Sequence, residues 1–326
     1  MSGRSARLLP PIGLWGPWLV LYLVLLGVVL YGLPGGRSDD AEIMLHTQVW
    51  AWGYRLRNPP LFEWLSWAVM QVTGPGVGVV MGLRLAGLVA MLGLMYRLGR
   101  QLGLPPKGAL ACALAVALVP QFYYYALFDL THTVLAGVFY VLLPMTVMRV
   151  RAHPSLVRAV VVGVVVGLGL LTKHLFALYV LGALLACAWV PAYRVLWRPR
   201  WLLIAVLSAM VVVAPYVLWC VAQGVDAFVM QQHESLQTAQ ASSADHMGMG
   251  LSRLGQMVVT VMLPWVLLWA LCLRSPRVLR RVRASEDGRW LSLTLMGTVA
   301  LIGVTWVVLG AQRAEAHHLM FMALAP

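Results

Sequence analysis

A chain of 326 residues that is 61% hydrophobic and 11% charged, with a mean hydropathy of +0.82, cannot remain in water as a soluble globule. Its apolar runs have bilayer length, so it reads as a polytopic membrane protein. The net charge of +13 would suit nucleic acid, but basic residues set between spans follow from the positive-inside rule, and no nucleic-acid partner is expected.

Arg4 and Arg7 precede an apolar run over about residues 14–33. No small-residue cleavage site follows, only Gly32-Leu33-Pro34-Gly35-Gly36, which predicts an uncleaved anchor with a cytoplasmic N-terminus. Further spans are predicted at about 77–98, 108–125, 128–148, 156–172, 174–192, 201–222, 254–273 and 290–311, which makes nine. Leu61–Thr73 is apolar but short and closes on Gly74-Pro75-Gly76, which fits an interfacial or re-entrant helix better than a crossing. Residues 318–326 read as the beginning of a tenth span, so the chain is either a fragment or a pared-down member of its class. Cys112, Cys187, Cys220 and Cys272 stand alone inside apolar segments and imply neither disulfide nor metal.

With the N-terminus inside, 17 of the 24 basic residues fall on the cytoplasmic side of these spans and 9 of the 11 acids on the other. One face thus reads as an anchor and the opposite face as the place for chemistry. The long outer segments are 34–76 and 223–253; the second is polar enough to be a mobile loop or lid.

Ser38-Asp39-Asp40-Ala41-Glu42 and Asn58-Pro59-Pro60-Leu61-Phe62-Glu63-Trp64-Leu65 put four carboxylates beside the membrane in a chain otherwise poor in acids. Ionised groups at a lipid boundary are costly unless they have a task. Glu42 and His46, four apart, share a helix face and with Asp39 or Glu63 form a candidate site for a divalent cation. Asp39 with Glu42 three residues on is also a capping box at a helix start.

The order Asp39-Asp40-Ala41-Glu42, Gln48-Val49-Trp50-Ala51-Trp52-Gly53-Tyr54 and Pro59-Pro60-Leu61-Phe62, followed by Arg84-Leu85, Tyr96-Arg97-Leu98-Gly99-Arg100, the aromatic run ending at Asp129 and Leu171-Thr172-Lys173, resembles glycosyltransferase family 39. That family has the GT-C fold and includes lipid A aminoarabinose transferases and protein O-mannosyltransferases. The resemblance covers most of the first 175 residues. It implies an all-α membrane bundle that moves a sugar from a polyprenyl-phosphate donor to a lipid or protein acceptor on the outer face of the inner membrane.

By that likeness Asp39 is the general base that takes the acceptor's proton, and the attack proceeds with inversion. Asp40, Glu42, Glu63 and Asp129 are candidates to orient substrate hydroxyls. Lys173, with His174 beside it, is expected to hold the departing phosphate, with Arg57, Arg84 and Arg253 as further cations. Each has a plainer alternative: the acids as helix-end residues, Lys173 as a snorkelling anchor. Asn58 stands where aminoarabinose transferases usually carry lysine, so the resemblance leaves the exact donor and acceptor open and aminoarabinose on lipid A is not assumed. The rival class is a transporter or flippase of lipid-linked sugars. Transporters place ionisable groups near the bilayer midplane, whereas these acids crowd one end.

Overall fold

The computed structural model describes residues 16–32, 38–55, 58–116, 126, 130–224, 252, 255, 282 and 284–309. Every element among them is helical: α1 (Gly16–Gly32), α2 (Ser38–His46), α3 (Leu61–Thr73), α4 (Val77–Gln101), α5 (Pro106–Val116), α6 (Thr131–Ala152), α7 (Leu156–Leu170), α8 (Phe176–Trp189), a 3₁₀ turn (Pro191–Trp197), α9 (Pro199–Ala222) and α10 (Glu286–Leu309). Proline opens α5 and α9, where its missing N–H is not needed. The Ser155 hydroxyl caps α7 by accepting from the Arg158 amide.

Four of the described helices, α4, α6, α9 and α10 over Glu286–Thr305, are long and apolar enough to cross a membrane; α1, α7 and α8 are shorter apolar helices. The expected count of nine is therefore not reached among the described residues, and the predicted span at 254–273 lies outside them. The last span begins at Glu286 instead of residue 290, because two carboxylates suit the positive end of a helix and need not be excluded from it.

Small residues set the packing. Gly163 and Gly167 on α7 lie so close to Ala205, Ala209 and Val212 on α9 that a methyl group at either would overlap them, the close approach typical of membrane helix pairs. The matching order of these contacts makes α7 and α9 parallel. Gly182 on α8 meets Thr294 and Thr298 on α10, and Trp290 Nε1 donates to Cys187 Sγ at 3.1 Å, so that pair is antiparallel. α4 and α6 run side by side, from Gly87 beside Val134 to Gln101 Nε2 donating to the Met145 carbonyl at 3.5 Å.

These directions give the bundle two chemically different ends. At one end Arg151 bridges Glu286 at 3.2 Å and Asp287 at 3.0 Å, while Tyr193 donates to Asp287 Oδ1 at 2.7 Å and stacks on Trp290. Burial pushes the Tyr193 phenol up, and the bond to Asp287 adds to this, so it stays a donor. The two acids that fall on the basic side of the chain are thus both held by one arginine.

The other end carries α2, α3 and the start of α6. The thirteen residues of α3 extend only ~20 Å, against a hydrocarbon core of ~30 Å. Its first amide, on Leu61, donates to the Leu171 carbonyl at 3.0 Å in the α7–α8 turn, and its last residues lead through Gly74 into α4. Both ends of α3 therefore sit at the same end of the bundle.

Candidate active site

α2 begins at Ser38, so Asp39 lies in its first turn and is not its capping residue. It caps a different helix. Asp39 Oδ2 accepts from the Leu130 amide at 2.9 Å, the Thr131 amide at 3.3 Å and the Thr131 hydroxyl at 3.4 Å, all at the N-terminus of α6. Leu130 has φ 68°, the one positive φ of a non-glycine among the described residues, and α6 has no side-chain cap of its own. Asp39 thus supplies the acceptor that this N-terminus lacks.

Asp40, the next residue of α2, points into the protein. There Arg84 Nη1 on α4 meets Asp40 Oδ1 at 2.5 Å, with each side chain 1% exposed. The sequence places both among the substrate contacts; the structure shows them holding α2 to α4. Glu42 pairs with the half-exposed Arg55 at 3.1 Å.

Glu63 is the centre of a buried polar cluster. Helix α3 presents it 1% exposed, with His46 Nδ1 of α2 and His132 Nε2 of α6 each 3.5 Å from its Oε1. Glu63 Oε2, Ser66 Oγ and His132 Nδ1 are buried without a hydrogen-bond partner among the described residues. Such atoms are rare in a native interior and offer themselves to a ligand hydroxyl. Lys173, Asp39 and Glu42 also lie within electrostatic reach of His132.

Aromatic residues surround this cluster. His46 stacks on Tyr54 at 5.2 Å, and Trp50 packs against Trp52, Trp64 and Trp67. Trp64 Nε1 donates to the Ala51 carbonyl at 2.9 Å, which fixes the loop after α2 on α3. Burial pushes the Tyr54 phenol up, the Ala51 amide bond opposing it, so Tyr54 stays protonated and donates to the Val49 carbonyl. His174 stacks on Tyr216 and Tyr216 on Trp219, at the site end of α9. A side chain at residue 53 would overlap the Trp219 ring, so Gly53 lets the loop backbone close against α9.

Of the residues singled out from sequence, Asp39, Glu42, Glu63, Lys173 and His174 gather at this end. Arg57, Asp129 and Arg253 lie outside the described residues. The divalent-cation set is not assembled: Glu42 is turned to Arg55, Asp39 to α6 and His46 to Glu63, and no group of three or more ligating side chains fits a metal among the described residues. His132 escaped the sequence reading. Its signal was a lone histidine at the first turn of an apolar span, on the same side as the acid cluster.

An all-helical membrane bundle with carboxylates and a cation gathered at one end is the architecture of the GT-C glycosyltransferases. Residues 57–219, half of the chain, match the family model described as dolichyl-phosphate-mannose-protein mannosyltransferase, and the chain belongs to that family. It is 30% identical over 320 residues to the lipopolysaccharide core galacturonosyltransferase RgtA of Rhizobium johnstonii, covering 95% of this chain and 61% of the relative. It is also 30% identical over 256 residues to RgtB of the same organism, covering 74% of this chain and 49% of that protein. The chain thus spans about three fifths or less of these relatives. The crystal structure of ArnT from Cupriavidus metallidurans bound to undecaprenyl phosphate superposes with a TM-score of 0.61 at 17% identity, over 96% of this chain and 60% of ArnT, which shows a shared fold.

Proposed function

We propose that the chain is an integral-membrane glycosyltransferase that moves a sugar, with inversion, from a polyprenyl-phosphate carrier to an acceptor hydroxyl on the extracytoplasmic side. The observation that carries this reading is the convergence of Asp39, Glu63, His132 and Lys173 at one end of an apolar bundle. The likeness to ArnT bound to undecaprenyl phosphate supports a polyprenyl-phosphate donor. The likeness to the two galacturonosyltransferases supports a uronic-acid sugar and a lipopolysaccharide-type acceptor.

In this reaction the acceptor oxygen bonds to the anomeric carbon as the bond from that carbon to the phosphate oxygen breaks. The acceptor's proton passes to Asp39, and the electron pair leaves on the phosphate, beside Lys173. Glu63 Oε2 and His132 Nδ1 hold sugar hydroxyls, one as acceptor and the other through whichever role its tautomer gives. The orientation follows from the basic end being cytoplasmic.

The test is turnover of polyprenyl-phosphate galacturonic acid by the purified chain in detergent, with lipopolysaccharide core as acceptor. Transfer is expected. Donor that binds but is never consumed would overturn the reading in favour of transport, because detergent allows no vectorial movement.

A further inference from the structure

Helices α6, α7, α8 and α9 enclose an apolar cavity of about 280 Å³ that takes no part in the site. On α9 its wall climbs from Trp201 to Val213, which is ~18 Å along the helix. Val206 and Met210, both on that wall, are 44% and 58% exposed, so the cavity opens sideways where α9 faces lipid. None of the site residues lines it, and the buried Leu171 and Thr172 stand in sequence between Leu170, at its upper end, and Lys173.

No charged residue lines the cavity, but arginines stand next to its Trp201 end. Because Gly163 faces Ala205 in a parallel pair, Arg158 on α7 and Arg200 on α9 stand level with one another. The Arg200 guanidinium lies 4.7 Å over the ring of Trp201, which itself lines the cavity. Arg194 and Arg198 are on the same connection, no acidic residue occurs from 153 to 224, and the two acids at this end, Glu286 and Asp287, are paired with Arg151. The exposed Trp189 and Trp197 mark this level as the membrane interface, and α9 opens here with the positive end of its dipole.

We propose that this cavity seats an acyl chain of an anionic phospholipid from the leaflet at the basic end, with Arg158 and Arg200 holding the lipid phosphate. Its length suits one leaflet of a ~30 Å core, and the arginines next to its Trp201 end supply the complementary charge. Arginine presents several donors in a fixed fork that matches phosphate.

Native mass spectrometry of the full chain, titrated with phosphatidylglycerol and with phosphatidylcholine of the same acyl chains, tests this. Phosphatidylglycerol should bind at least about tenfold more tightly, because the choline cation offsets the phosphate charge of phosphatidylcholine, and the double variant Arg158→Gln/Arg200→Gln should lose that preference, weakening phosphatidylglycerol by more than phosphatidylcholine. Val206→Trp, which narrows the opening without touching the cations, should weaken both lipids. Equal binding of the two lipids, or a double variant that keeps the preference, overturns the proposal. So does displacement of phosphatidylglycerol by undecaprenyl phosphate, which would give the cavity to a polyprenyl tail. Asp39→Asn should bind phosphatidylglycerol normally, so a failure of the proposed sugar transfer leaves this result readable.

Discussion

At the scale of single residues, Asp39 caps α6 and, in the proposed reaction, takes the acceptor's proton, and one substitution can separate these two tasks. An asparagine keeps a carbonyl oxygen for the α6 amides but cannot take a proton. Asp39→Asn is therefore expected to lower turnover by roughly 10²–10⁴ with an unchanged melting temperature. Asp39→Ala should lose turnover equally and about 1 kcal/mol of stability besides, through loss of the cap. Turnover of the purified variants, with melting curves alongside, checks both. Lys173 separates donor from acceptor: Lys173→Ala should weaken undecaprenyl-phosphate binding about ten- to a hundredfold, whereas Asp39→Asn should leave it nearly unchanged. Titration of that lipid against the two variants decides it, and equal affinity of wild type and Lys173→Ala would remove the lysine from the site. The carboxylates and the lysine were legible because charge is rare in this chain and stands out against apolar sequence. Their partners were not: Asp39 reaches a helix 91 residues away and Asp40 an arginine 44 residues away, and no local pattern records such distances.

Elements were legible where apolar length alone defines them. The spans predicted at 77–98, 156–172 and 201–222 became Val77–Gln101, Leu156–Leu170 and Pro199–Ala222. The segment predicted at 174–192 ends at Trp189, because Pro191 removes an amide and turns the chain into a 3₁₀ segment. What holds the elements together is more specific than hydrophobicity. The Asp40–Arg84 pair is fully buried, so Arg84→Met should strand a charge inside and cost about 3–5 kcal/mol. Adding Asp40→Leu should recover most of that loss, since removing both charges also removes both desolvation penalties. Melting temperatures in detergent for the two single variants and the double variant test this; no recovery in the double would mean that α2 depends on the pair for more than charge balance.

For the whole molecule, the segregation of charge predicts an orientation that labelling can test. Single cysteines at Val49, Gly74 and Gly103, in a chain whose own cysteines are replaced, should react with a membrane-impermeant maleimide from two different sides. Val49→Cys and Gly74→Cys should label together from outside intact cells, and Gly103→Cys only after lysis. Opposite labelling of the first two would mean that α3 crosses the membrane. The two-ended character of the bundle was readable from loop charges, because the positive-inside rule acts on sequence directly. Which helices lie side by side was not, because it depends on glycines such as Gly163 and Gly182 whose meaning appears only once a neighbour is placed against them.

The hydrogen bond from the Leu61 amide to the Leu171 carbonyl joins the carboxylate-bearing loop to the turn that carries Lys173. Both partners are main-chain atoms, so ordinary side-chain substitution cannot erase the bond. The side chains on either side can therefore change without altering the main-chain link that sets the spacing between α3 and the turn carrying Lys173. Proline is the exception, and at Leu61 it would extend Pro59-Pro60 by one residue. That single change would remove the link without altering one polar side chain of the site.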